Sequence, residues 1–378
     1  MKGKRVIFLS ASSFFLSYFS RVAWSIVAPL STLKTTTTED SIIFALFFLG
    51  YILIQIPSGT LADRISAKRL LFLSLLGVAV TSFVSATFPL ITVEYLASFL
   101  MGFSAGWIYP ITVKLLSTSF DDKDLPIAMS IYSMAWPLSI VASGIVIPFL
   151  ALTFSWEFSF YFISVFSIIL GILALLYLPS LKLTKSIIKF KDVIRDKNSI
   201  YISIGGFLFY LTYWVLVLYL YKYLLGVVRN EYVAGIIYSL TALTGIFSTI
   251  LAGYIIKSLG VKRTFLLFIS LYSFSLLIFS FTKNVMVIGI DALALGFFRF
   301  IITPTSSTAV AVIGGKERSG SVTGFANFFW QSSGIVGSII APLLINLFTY
   351  TYLWTFISVL SFLSLIFYYK LKFMRDYL

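Results

Sequence analysis

Apolar positions along this chain come in long unbroken runs, without the alternation of a half-buried strand or the narrow stripe of a soluble amphipathic helix. A helix needs about 20 such residues to cross a hydrocarbon core of about 30 Å. Runs of that length predict helices over 6–30, 41–62, 68–88, 90–117, 125–150 and 157–178, and six more over 199–224, 232–256, 263–282, 285–313, 320–346 and 352–371. Backbone groups in lipid must be bonded within their own element, and runs this long without strict alternation argue against barrel strands. The pattern therefore predicts an all-α membrane protein of twelve transmembrane helices. The opening "MKGKRVIFLSASSFF" begins like a signal peptide, but its apolar run continues past Arg21 with no convincing cleavage site, so it is read as the first span.

Composition narrows the chemistry. Apolar residues make up 59% of the 378, charged residues 11%, and the mean hydropathy is +1.01. There is no cysteine and no histidine, which removes disulfides, thiolate nucleophiles, histidine metal sites and imidazole proton relays together. No cofactor or metal is expected. An embedded enzyme would want a nucleophile with its base, or an acid-rich metal motif, and a sensor would carry an appended soluble domain; neither is visible.

The net charge of +14 invites a nucleic-acid reading until its placement is considered. Lys2, Lys4, Arg5, Arg64, Lys68, Arg69, Lys257, Lys262, Arg263, Lys370 and Lys372 fall in the termini and alternate loops, whereas the opposite side holds Lys34, Lys222, Arg229 and Lys283. This is the positive-inside pattern, and it predicts a multi-pass plasma-membrane protein with both termini in the cytoplasm and no nucleic-acid partner. The central "KSIIKFKDVIRDK" adds a basic amphipathic segment suited to contact with anionic membrane lipid.

An internal repeat organises the chain. A shift of 194 residues aligns Gly59 with Gly253, Lys68 with Lys262, Arg69 with Arg263, Gly102 with Gly296, Pro110 with Pro304, Trp136 with Trp330 and Pro148 with Pro342. Six helices per repeat is an even number, so both halves enter the membrane in the same sense, the parallel repeat of a transporter. The expected division is an N-terminal six-helix bundle over 1–180, a cytoplasmic basic linker over 181–198 and a C-terminal six-helix bundle over 199–378.

The loop "GTLADRISAKR", Gly59 to Arg69, resembles the signature loop of the major facilitator superfamily, with Ser66 in place of its second glycine. The resemblance implies two six-helix halves that rock about a central path, and a cytoplasmic latch made here by Gly59, Asp63, Arg64, Lys68 and Arg69. "GFSAGWIYP", Gly102 to Pro110, is similar to the family's helix 4 pattern, but Ser98 stands where its arginine is expected. The glycine–proline pair of the drug-exporting antiporters is missing from "ASGIVIPFL" in helix 5. A proton-linked exporter of hydrophobic compounds is thus the second reading.

Two arginines carry the first reading. Arg21 lies sixteen residues after Arg5, about 24 Å of helix, and Arg299 lies fifteen after Asn284, about 22 Å, so both are expected deep in the membrane. A cation at that depth costs roughly 2.5–3.5 kcal/mol on insertion scales, and it normally faces a cavity and serves a function. "YFSRVAWSIVAP" also resembles the first helix of the family's organic anion and organophosphate branches, where the arginine matching Arg21 binds the anion. The resemblance places helices 1, 4, 7 and 10 around the central path, so Arg21 and Arg299 are expected to hold a small anionic substrate, organic by expectation, whose carboxylate, phosphate or sulfate each guanidinium can grip by bidentate hydrogen bonds.

Tyr18, Trp107, Tyr213, Asn327 and Gln331 complete the expected substrate set, the last two being four residues apart on one helix face. Glu94 and Asp291 are the candidate coupling groups for a proton or cation, or else structural partners of the arginines; Asp40 and Glu157 read as outer-loop charges. The function expected is secondary active transport of a small anion by alternating access, by a monomer.

Overall fold

The computed structural model describes residues 2–55, 66–120, 125–179 and 190–373. Every regular element among them is helical: α1 Lys2–Val27, α2 Thr37–Gln55, α3 Ala67–Thr87, α4 Ile91–Ala105, α5 Ile108–Ser119, α6 Leu125–Ser133, α7 Ala135–Thr153, α8 Glu157–Tyr177, α9 Phe190–Arg195, α10 Lys197–Val228, α11 Glu231–Leu259, α12 Val261–Phe281, α13 Val285–Leu347 and α14 Tyr350–Lys370. A 3₁₀ turn, Ala28–Leu30, prolongs α1. Twelve helical stretches are long and apolar enough to cross a membrane, as the hydropathy pattern predicts.

The helices gather into two compact units, Met1–Lys185 and Ser186–Leu378. In the first, α1 packs on α5, α7 and α8, while α2 pairs with α4 and α3 with α8. In the second, α10 and α11 both pack on α13, and α12 pairs with α14.

Close crossings explain the repeated glycines. A Cβ on Gly102 would run into the backbone carbonyl of Phe47, and one on Gly296 into that of Thr241. Both members of this second contact lie 194 residues beyond those of the first. Without a hydrophobic drive between helices in lipid, such backbone approach is what holds a pair together. The neighbouring contact follows the same shift in altered chemistry. Gly50 abuts the Phe99 carbonyl, while Thr244, its counterpart, donates a 2.6 Å hydrogen bond to the Leu293 carbonyl.

Two departures from the hydropathy windows have local causes. The fourth span is broken between Ala105 and Ile108, and the fifth between Ser133 and Ala135. Pro110 and Pro137 each lack an N–H and crowd the carbonyl four residues earlier, on Gly106 and Ser133, where the two helices stop. Pro148, Pro304 and Pro342, in contrast, sit inside continuous helix. The tenth and eleventh spans, Val285–Gly314 and Val322–Leu347, belong to one helical stretch, where the sequence predicts a break near 314–319.

Gly260, at the turn from α11 to α12, has φ 79° and ψ 159°, a region essentially reserved for glycine. Its counterpart one repeat earlier, Ser66, has φ −66° and ψ 144°, which any residue adopts. The missing glycine of the signature loop is therefore not needed there. Gly260→Ala should destabilise the protein by about 1–3 kcal/mol, and Ser66→Ala by less than about 0.5 kcal/mol, readable as the difference between their thermal melting curves in detergent.

Candidate substrate site

In the first unit, α1 carries Arg21 fully inside the helix bundle, 3% exposed. The guanidinium carbon lies 4.5 Å from the Tyr18 ring centroid, one turn earlier on the same helix, and 4.2 Å from that of Tyr51 on α2. Phe47 and Phe48 of α2 stand at 5.6 and 5.7 Å. Tyr18 is held in turn by stacking on Trp136 at 4.7 Å and by an edge contact with Phe14 at 5.0 Å. Ring faces attract a guanidinium by about 0.5–2 kcal/mol each, so this cage offsets part of the cost of burying the cation.

Arg21 also lines a small cavity of about 20 Å³ with Trp24, Phe47, Ser85, Glu94 and Ser98, room for about one water molecule. Glu94, on the first turn of α4, is 2% exposed and accepts a 3.0 Å hydrogen bond from Ser85. The Ser98 hydroxyl donates to the Ile43 carbonyl at 2.8 Å. Trp24 is anchored from the far side, its indole N–H donating to Asp40 at 3.1 Å.

That last bond corrects the expectation for Asp40. It is not an outer-loop charge, because α2 begins at Thr37, four residues ahead of the predicted window, and draws Asp40 into its first turn. There it is 2% exposed, and Thr35 donates a second bond to it at 2.6 Å. Position in the first turn also sets its charge against the positive end of the helix dipole.

In the second unit, Arg299 of α13 is wholly buried, and its Nη1 donates to Thr303 one turn later at 2.7 Å. Tyr213 of α10 presents its ring 3.7 Å from the guanidinium carbon, with Phe300, Tyr210 and Phe209 at 4.9, 5.5 and 5.7 Å. Tyr210 stacks on Trp330 at 5.3 Å, and the Trp330 indole donates to the Ile202 carbonyl at 3.2 Å. Each unit thus builds a buried guanidinium against a tyrosine that itself stacks on a tryptophan. Trp136 and Trp330 are repeat partners, although neither arginine has an arginine as its counterpart.

The remaining expected residues are more scattered. Asn327, half-buried, and Gln331, 9% exposed, face each other at 3.4 Å along α13. Trp107 is buried at the break between α4 and α5. Asp291 is 5% exposed and takes a hydrogen bond from Ser275. Of the latch set, Lys68 is half-buried and Arg69 exposed at the start of α3, whereas Gly59, Asp63 and Arg64 lie outside the described residues. Tyr51, Phe47 and Tyr210 escaped sequence reasoning because nothing in a list of many aromatics marks which rings meet a guanidinium.

A family model described as Major Facilitator Superfamily matches residues 9–338. The chain belongs to the major facilitator superfamily. It is accordingly a multi-pass membrane protein of a transporter family. Among curated relatives, the "Uncharacterized transporter YybO" of Bacillus subtilis (strain 168) is 29% identical over 150 residues, covering 38% of this chain and 34% of that protein. The "Hexuronate transporter" of the same organism is 26% identical over 161 residues, 42% of this chain and 38% of the relative. The "Probable nitrate transporter NarT" of Staphylococcus carnosus (strain TM300) is 28% identical over 192 residues, 48% of each. The chain thus spans between about a third and a half of the length of these relatives. The crystal structure of nucleoside transporter NupG matches with a TM-score of 0.80 over 97% of this chain and 98% of that one, at 13% identity, a likeness of fold alone.

In this superfamily member, Ser98, at the helix 4 position where an arginine is expected, spends its hydroxyl on a backbone carbonyl. Among the described residues of the first unit, the charges buried in the Arg21 cavity are Arg21 itself and Glu94.

Proposed function

We propose that this superfamily member is a secondary transporter of a small anion, working by alternating access in the plasma membrane with both termini in the cytoplasm. Arg21 in the first unit and Arg299 in the second are the groups that neutralise the substrate's negative charge. The observation that carries the reading is the pair of buried guanidiniums, each lined with aromatic faces instead of being aimed at lipid. A buried cation normally serves function in a membrane span. Tyr18 and Tyr213 position the two forks, and Asn327 with Gln331 offers uncharged donors and acceptors for the rest of the substrate. The curated names of two relatives, a hexuronate transporter and a probable nitrate transporter, both denote anions, one organic and one inorganic, and they support the same substrate class.

A thermal-shift screen of the purified protein tests this reading. A ligand at 100 times its Kd stabilises the native state by about 2.7 kcal/mol. D-glucuronate, D-glucarate, nitrate and phosphate are set against neutral D-glucose. At least one anion should raise the melting temperature by several degrees in a saturable way, and glucose should not. A response to glucose with none to any anion would defeat the assignment.

A further inference from the structure

We propose that Trp136 and Trp330 are positioning residues for the two buried arginines, each holding the tyrosine that aims a guanidinium at the substrate. The inference rests on the anion reading above and names what sets the grip.

The tryptophans are the part of the two assemblies that follows the internal repeat. A shift of 194 residues carries Trp136 of α7 onto Trp330 of α13. The tyrosines and arginines do not follow it: Tyr18 falls on Thr212, Tyr210 on Leu16, Arg21 on Val215 and Arg299 on Ala105. Packing carried over unchanged from one half to the other would keep ring and cation at matching positions. Instead, the tyrosine lies one turn before the arginine on the same helix in the first unit, and on a neighbouring helix, α10, in the second. Both nevertheless come to rest on the same tryptophan position, in the order arginine, tyrosine, tryptophan. A shared demand on the guanidinium accounts for that convergence.

The geometry shows how the hold works. Trp136, buried, stacks on Tyr18 with ring centroids 4.7 Å apart and planes at 26°. Trp330, also buried, stacks on Tyr210 at 5.3 Å and 28°. The Trp330 indole is itself pinned, because its N–H donates to the Ile202 carbonyl at 3.2 Å and Gly206, one turn on, leaves it room. A Cβ on Gly206 would run into the indole nitrogen. Tyr210 in turn meets Tyr213 edge-on at 6.5 Å, and Tyr213 carries the Arg299 guanidinium at 3.7 Å.

Orientation matters because of how a guanidinium binds. It grips a carboxylate or nitrate through two parallel N–H···O bonds, and turning the fork out of the anion's plane breaks that pair. Charge alone does not set the plane; the ring faces against the cation do. Sites of this kind owe their precision to the residues that lock the first contacts in place. Losing one of the two bonds weakens the anion's hold by about tenfold or more.

Proton–nitrogen NMR of the full-length protein in lipid nanodiscs reads each guanidinium with no anion present. The Arg21 and Arg299 resonances are the ones lost in Arg21→Met and Arg299→Met, and the ring faces displace both from the ordinary arginine position. Trp330→Ala should move the Arg299 resonance toward that ordinary position and leave Arg21 in place, and Trp136→Ala should do the converse. Trp330→Phe and Trp136→Phe, which keep a stacking ring, should retain most of the displacement. Each alanine variant should also bind nitrate or D-glucuronate about tenfold or more weakly than the wild type. Unmoved resonances, resonances that move together in either variant, or displaced resonances with unchanged anion affinity overturn the proposal. If the resonances move as expected and no anion binds the wild type, the positioning role stands and the anion reading is what fails. Should Trp330→Ala not fold, Gly206→Ala decides. Its new Cβ pushes the indole aside, so the Arg299 resonance should move, and the smaller ring of Gly206→Ala/Trp330→Phe should bring it back to the Trp330→Phe position. A double variant no nearer the wild type than Gly206→Ala alone refutes the role.

Discussion

Arg21→Met is expected to reduce saturable anion uptake into proteoliposomes at least 100-fold while leaving the protein folded and monodisperse. The substitution keeps a long unbranched side chain among the rings of Tyr18, Tyr51, Phe47 and Phe48, so the cage stays filled. What is lost is a charge whose burial costs roughly 2.5–3.5 kcal/mol by insertion scales, so stability has little reason to fall. Binding, in contrast, loses a charge-assisted partner. Truncating one member of a buried, hydrogen-bonded charge pair costs about 2–5 kcal/mol, and 2.7 kcal/mol is already about 100-fold. Arg299→Met should behave alike, since Tyr213 at 3.7 Å and Thr303 hold the guanidinium without needing its charge to fold. Wild-type uptake rates in Arg21→Met would remove the anion from the account.

The second large effect is on folding. Gly102→Val should abolish recovery of monodisperse protein, because the first atom beyond Cα would meet the Phe47 backbone carbonyl, which cannot turn aside as a flexible side chain does. Gly102→Ala already places that atom, and overpacking costs about 1–3 kcal/mol even where side chains can yield, so a loss of about 3 kcal/mol or more is expected. Gly289, on a face of α13 where an added Cβ meets nothing within 4 Å, is the control, and Gly289→Ala should melt at or above the wild-type temperature. Size-exclusion profiles and melting curves of the three variants separate these outcomes.

These expectations show which features a sequence carries openly. Span number and helical class followed from hydropathy because lipid forces every backbone group to bond within its own helix. The glycine pair Gly102 and Gly296 was visible as a repeat landmark, and its carbonyl contacts show why the repeat retains it. The two arginines stood out because a cation in an apolar run is costly.

Other features were hidden by distance along the chain. Trp24 and Asp40 are sixteen residues apart, and nothing in either flank says that an indole reaches over a turn to bond the carboxylate. Arg21 and Glu94 are still farther apart, and only the packing of α4 with α2 and α1 makes them neighbours in one cavity. The breaks at Gly106 and Met134 were within reach, since Pro110 and Pro137 lie at the spacing that blocks the preceding turn. Hydropathy windows do not register proline, so the spans read as continuous.

The most direct measurement of the central claim is an equilibrium binding isotherm for nitrate, D-glucuronate and D-glucose on purified wild type, Arg21→Met and Arg299→Met. The account predicts saturable binding of at least one of the two anions to the wild type, a loss of about 100-fold or more in each variant, and no binding of glucose. Anion binding of equal strength in all three proteins, or glucose binding that ignores both substitutions, would contradict it.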